Sequence, residues 1–157
     1  MDSKKITPCL WFDKEAEDAA KFYVSVFKDA SINMVNRYPN EGQDIHGQKE
    51  GSVMTVDFTL RGQPFIALNA GPAFKFSEAI SLTIPCETQE EIDYYWNKLT
   101  EGGEESMCGW LKDKFGLSWQ VVPTILPKLL TEPGRKDRVM KAFMQMRKFD
   151  IEKLKNA

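Results

Sequence analysis

Cys108, Trp110, Trp119 and Gln120 fall within one short stretch, residues 107–123, MCGWLKDKFGLSWQVVP. A cysteine thiolate is a nucleophile, but it needs a lowered pKa and a neighbouring base, and no histidine lies near Cys108 in sequence. Otherwise it behaves as a small hydrophobe. Tryptophans with one polar amide are the usual material of a small-molecule pocket, apolar walls around a few polar anchors. Trp11, on an earlier apolar run, could supply a further wall, and all these aromatic residues could equally be core. The single histidine, His46, sits in a polar loop with Glu41 and Asp44 nearby, without a recognisable metal-ligand spacing. Asp57 is a carboxylate on a strand, a position that is usually exposed and idle. Cys9, Cys86 and Cys108 are odd in number and lack a C-x-x-C spacing, which argues against a structural disulfide and a finger-type zinc site.

The elements that must position these side chains follow from periodicity. Residues 107–123 read as a β-hairpin: a strand near 109–112, a turn ending at Gly116, and a second strand over 117–122. Along that second strand Leu117, Trp119 and Val121 share one face and Ser118, Gln120 and Val122 the other, so only one set can line a cavity. Residues 6–12 (ITPCLWF) read as a buried strand, with Pro8 tolerable near its start. A helix opens at Asp13, with Ala16, Ala19, Ala20, Tyr23, Val26 and Phe27 as its apolar stripe. Residues 30–38 form a modest strand and 39–51 a polar loop. Met54, Val56, Phe58 and Leu60 alternate with Thr55, Asp57 and Thr59, a half-covered strand whose hairpin partner is 63–69.

After a connector over 69–77, residues 79–85 (AISLTIP) form another strand. Thr88 and Glu91 then make a capping box that opens a helix with Ile92, Tyr95, Trp96 and Leu99 as its stripe, ending at Gly102 and Gly103. Beyond the hairpin come a short apolar stretch over 124–131, a turn at Pro133-Gly134, a helix over 136–148 striped by Val139, Met140, Phe143 and Met146, and a further helical turn over 150–155.

Composition bounds the possible functions. With 157 residues, 42% apolar and 28% charged, the chain can bury a core of its own. No run approaches the roughly 20 apolar residues of a membrane span, and the opening Met-Asp-Ser-Lys-Lys lacks a following apolar region, so a cytoplasmic setting is expected. Residues 135–157 hold eight Lys/Arg against three Asp/Glu, while the rest of the chain is acidic. Without aromatic and basic residues interleaved, this reads as a solvated helix face, and no nucleic-acid partner is expected.

Shifted by 72 residues, the sequence superimposes on itself by type: Leu10 falls on Leu82, Phe12 on Ile84, Ala20 on Ile92, Phe22 on Tyr94, Tyr23 on Tyr95 and Phe27 on Leu99. The fold class expected is α+β: two βαβββ-type modules, about 5–70 and 78–123, pairing into a cleft-forming sheet or half-barrel within one domain, plus C-terminal helices over about 124–157. The segments at 6–27, 86–99, 108–123 and 138–154 resemble the vicinal oxygen chelate superfamily of glyoxalases, bleomycin and fosfomycin resistance proteins and extradiol dioxygenases. More narrowly they resemble its PhnB-like branch, often labelled 3-demethylubiquinone-9 3-methyltransferase. The sequence holds no glycine-rich strand–turn–helix for adenosylmethionine.

The resemblance implies a divalent metal held by one residue at each of four strand positions, through oxygen or imidazole donors. Those positions here fall near Pro8, at Leu68 or Ala67, at Ala79 or Ile80, and at Gln120, the one plausible ligand. It therefore implies a metal-free and cofactor-free binding protein that holds a small molecule in a cleft lined by Trp11, Cys108, Trp110, Trp119 and Gln120. The alternative is a metal-dependent lyase, isomerase or dioxygenase. Homodimers are common in the superfamily, and the helix bearing Phe143 and its methionines is the candidate interface.

Overall fold

The computed structural model describes residues 6–157, which divide after Lys75 into two compact units. The first unit contains β1 (Cys9–Phe12), α1 (Ala16–Val26), β2 (Ala30–Arg37), α2 (Gln43–His46), β3 (Val53–Leu60) and β4 (Gln63–Asn69). Its sheet runs β1-β4-β3-β2, with β1 parallel to β4 and the other pairs antiparallel. The alternation of β3 does what it promises. Val56, Phe58 and Leu60 are buried, as are Phe65 and Ala67 on β4 and Leu10 and Phe12 on β1. Against this face lies α1, whose alanines let the helix approach closely while Tyr23 stacks on Phe58, ring centroids 6.0 Å apart. Phe58 in turn stacks on Phe65 at 5.3 Å. Burying side chains of this size contributes about 1.5–3 kcal/mol each.

The boundaries shift where backbone geometry outweighs pattern. The first strand begins at Cys9 because Pro8 has no N–H to give, and its carbonyl instead accepts from Ile66 N at 3.0 Å. The first helix starts at Ala16 rather than Asp13, and its leading amide is capped from a distance by Asn69. The polar loop contains the short α2, bracketed by Gly42 and Gly47 in the left-handed region.

The second unit contains β5 (Leu82–Cys86), α3 (Gln89–Thr100), β6 (Glu104–Glu105), β7 (Trp110–Lys112), β8 (Ser118–Pro123), α4 (Leu126–Thr131), α5 (Lys136–Phe143) and α6 (Ile151–Lys155). Its sheet runs β5-β8-β7-β6, the same 1-4-3-2 order as the first, again with the outer pair parallel. The internal repeat seen in the sequence is thus a repeat of topology. Pro85 sits on the edge strand β5, where a missing N–H is tolerated. Thr88 Oγ accepts from Glu91 N at 3.2 Å as the capping box requires, and the Glu91 carboxylate reaches back to Glu87 N at 2.6 Å. The stripe of α3 turns on Ile92, Trp96 and Leu99, with Tyr95 only half-buried.

The C-terminal helices complete this unit. The helix expected over 136–148 stops at Phe143, because the chain beyond it runs out to meet the hairpin. Cys108 N and Gly109 N donate to the carbonyls of Met146 and Arg147 at 2.7 and 2.8 Å. Phe149, Ile151 and Leu154 are buried, so α6 is part of the core rather than a coda. Among the described residues, no helix is long and apolar enough to cross a membrane.

Candidate functional site

Strand register decides which face each side chain occupies. In the second sheet, Leu82, Trp119 and Leu111 lie in one row and Ile84 with Val121 in another, all on the face that packs against α3. The opposite face carries the rows Thr83–Gln120–Trp110 and Ser118–Lys112–Glu104. Trp119 is therefore core: it is 2% exposed, and its indole Nε1 donates to Asp113 Oδ2 at 2.8 Å. Strand alternation placed Trp119 and Gln120 on opposite faces, and the structure brings Gln120 together with Trp110, its cross-strand partner.

Cys108 does not join them. It takes a left-handed backbone (φ 58°) in the turn before β7, and its Sγ lies 3.7 Å from the Phe143 carbonyl. Its N–H anchors the C-terminal segment, as described above. Cys9 lies on β1, and desolvation pushes its thiol above the ordinary cysteine range, which disfavours the thiolate.

In the first unit, the face away from α1 carries the rows Trp11–Leu68–Thr55–Asn36 and Cys9–Ile66–Asp57–Met34. Trp11 donates through Nε1 to the Gly71 carbonyl at 2.8 Å, and Phe74 packs edge-on against it at 4.9 Å. His46 folds into its own loop: Nδ1 accepts from Gln48 N at 3.0 Å, and the ring lies 4.7 Å from that of Tyr38.

The common topology resolves the alternatives left at the metal positions. Trp11 pairs with Leu68 as Thr83 pairs with Gln120, so Leu68, not Ala67, is the counterpart of Gln120. By the same shift Pro8 corresponds to Ile80. Leu68, Pro8 and Ile80 offer no side-chain donor, and the Gln120 amide is engaged through Nε2 with Ser81 Oγ at 2.9 Å. Among the described residues, no group of three or more His, Cys, Asp or Glu side chains is placed to hold a metal ion. The donor set does not fit the metal that the fold family implies, and no chemistry is derived through one.

One feature of the Gln120 face was not legible in the sequence. Trp96 donates its indole N–H to Glu105 at 2.9 Å, and Trp11 and Trp119 are likewise committed. Trp110 is half-buried, and among the described residues its indole N–H has no acceptor. It borders a depression of about 360 Å³, also lined by Glu78, Glu104, Lys112 and Ser118. Lys112 Nζ meets Glu78 Oε1 at 2.5 Å, and this pairing holds the Glu78 carboxyl below and the Lys112 ammonium above their ordinary ranges. Ser118 is 1% exposed, and its hydroxyl has no hydrogen-bond partner among the described residues. A larger groove of about 660 Å³ runs along the seam between α3 and α6; of its polar lining, Thr88, Gln89, Asp93 and Lys148 are engaged with one another or with backbone, and Lys153 and Lys155 pair with Asp150 and Glu152.

Comparison with known proteins agrees with this fold. A 3-demethylubiquinone-9 3-methyltransferase PhnB protein from Bacillus cereus, so described provisionally, is 38% identical over 77% of this chain and 100% of its own, with a TM-score of 0.68. A protein from Pseudomonas aeruginosa is 19% identical over 77% of this chain and 98% of its own, TM-score 0.60. A fosfomycin resistance protein from Listeria monocytogenes shares the fold at 12% identity over 82% and 98%, TM-score 0.53. No curated protein matches the chain. Residues 4–122 match the family described as 3-demethylubiquinone-9 3-methyltransferase. The chain belongs to that PhnB-like family and has an α+β vicinal oxygen chelate fold, which it shares with the fosfomycin resistance protein.

Proposed function

We propose that this protein binds a small organic molecule on the face of the second sheet that carries Trp110 and Gln120. The observation that supports the reading is the Trp110 side chain: three of the four tryptophans give their indole N–H to a protein acceptor, while half-buried Trp110 has none among the described residues. Buried or half-buried indoles ordinarily find an acceptor, and those that keep a free N–H beside an apolar ring face suit ligand recognition. Gln120, next to Trp110 across the strands, is oriented by Ser81 through Nε2, which leaves Oε1 to accept from a ligand.

Tryptophan fluorescence titration against a panel of small molecules, run in parallel on Trp110→Phe, tests the reading. A saturable signal present in the wild type and absent from the variant supports it, and no such signal from any panel member rejects it. Elemental analysis bears on the metal-dependent lyase, isomerase or dioxygenase alternative. A stoichiometric divalent metal that survives dialysis would favour that enzyme. Methyl transfer from adenosylmethionine, the activity in the family's description, is assayed directly with labelled donor. The proposal includes a homodimer in the cytoplasm. Sedimentation of the full chain checks the dimer, and a monomer mass rejects it.

A further inference from the structure

Two buried or half-buried polar groups face one depression without protein partners. Ser118 and Lys112 are cross-strand neighbours, so the orphan hydroxyl points to the same side as the Lys112 ammonium and as Gln120 two residues on. A buried hydroxyl with no hydrogen bond costs stability, and native proteins keep few of them without a use. The charges around it are unbalanced. Lys112 is flanked by Glu78, to which it is bonded, and by Glu104, its cross-strand neighbour on the other side. One ammonium thus serves two carboxylates. The third acidic residue at the rim, Glu105, is spent on Trp96 and lies near Arg147. Glu104 and the Trp110 ring border the same depression, and an indole face attracts cations through its quadrupole. The indole N–H adds a donor for an oxygen of the same ligand.

Resting on the binding reading above, we propose that the depression bordered by Trp110, Glu104, Lys112 and Ser118 takes a small hydroxylated amine. Its ammonium sits by Glu104 and the Trp110 ring, and its hydroxyls satisfy Ser118 Oγ and Trp110 Nε1–H. A volume of about 360 Å³ accommodates a ligand of monosaccharide size.

The test uses the full chain and three probes of one skeleton: glucosamine, N-acetylglucosamine and glucose, titrated by tryptophan fluorescence and calorimetry. Glucosamine is expected to bind at least tenfold more tightly than either uncharged analogue. Glu104→Gln is expected to erase most of that preference. Ser118→Ala separates the ligand role from a structural one, because deleting an unpaired buried hydroxyl leaves Tm unchanged or raises it while weakening glucosamine binding about fivefold or more. Equal binding of the three probes, or a preference that survives Glu104→Gln, overturns the inference. Loss of Tm in Ser118→Ala with affinity intact also overturns it. If glucosamine fails while another class of ligand gives a Trp110-dependent signal, this inference falls and the binding reading stands; if nothing gives such a signal, both fall.

Discussion

Asp113 Oδ2 accepts the indole N–H of Trp119 at 2.8 Å across the tight turn between β7 and β8, although the aspartate is only 3% exposed. Its other oxygen accepts from Phe115 N at 2.9 Å and Leu117 N at 3.1 Å, so one buried carboxylate organises both the turn and the core tryptophan. A carboxylate that receives several N–H donors is stabilised where an isolated one would not survive burial. Asp113→Ala orphans three donors at once and is expected to cost roughly 3 kcal/mol. Urea denaturation measures this, and a change under about 0.5 kcal/mol would show that the turn does not depend on the aspartate.

Asn69 plays a comparable part in the first unit. The parallel pairing of Phe12 with Asn69 brings the amide to the start of α1, where Oδ1 accepts from Ala16 N at 2.8 Å and Nδ2 donates to Val53 O at 3.1 Å. Asn69→Ala removes the cap and leaves the half-buried Val53 carbonyl short of a donor. A loss of about 1–2 kcal/mol is expected. Hydrogen exchange should localise the faster opening to the first turn of α1, and uniform acceleration across the unit would contradict the capping role.

Gly109 is where the C-terminal segment docks. It is left-handed (φ +79°), and a Cβ there would meet Phe149 Cε2 at 2.5 Å and the Val121 carbonyl at 2.7 Å. Gly109→Ala is expected to displace the segment around Phe149 and expose it to protease, at a cost of about 2 kcal/mol or more. Adding Phe149→Ala removes only one of the two clashes, so the double variant should not recover. Recovery would mean that the backbone contact is unimportant.

The seam between α3 and the C-terminal segment is sensitive to acid. Lys148 Nζ lies 2.6 Å from Asp93 Oδ1, and this bond, with help from Gln89, holds the Asp93 carboxyl below the ordinary carboxylate range. A depressed folded-state pKa means the unfolded chain binds the proton more readily. The contribution to stability is therefore complete above the ordinary carboxylate range and is lost as pH falls through that range to the depressed value. The denaturation midpoints of wild type and Asp93→Asn should differ at pH 6 and converge in strong acid. A gap that persists at the lowest pH would place the coupling elsewhere.

The elements that depend on local period were legible in the sequence. The alternation in β3, the alanine-rich stripe of α1 and the box at Thr88 each specify a face or an end through neighbours a few residues away, and the 72-residue repeat announced two copies of one topology. Strand alternation also showed that Trp119 and Gln120 differ in face, but not which face meets α3. That depends on Asp113, which draws the Trp119 indole inward, and on the buried row with Leu82 and Leu111. The backbone of Cys108 and Gly109 also docks Met146 and Arg147, which approach from more than thirty residues away, a contact no local pattern could show. The partnerless Ser118 hydroxyl, and a Trp110 indole that no protein acceptor among the described residues engages, are likewise tertiary facts, since a polar atom counts as unpaired only once every other group has been placed. The sequence by itself determined the family, the two modules and the lack of side-chain donors at Pro8, at Leu68 or Ala67 and at Ala79 or Ile80, because these are matters of residue type and spacing. Only tertiary structure decided which polar side chains are left free for a ligand, because that depends on where distant segments bring their donors and acceptors.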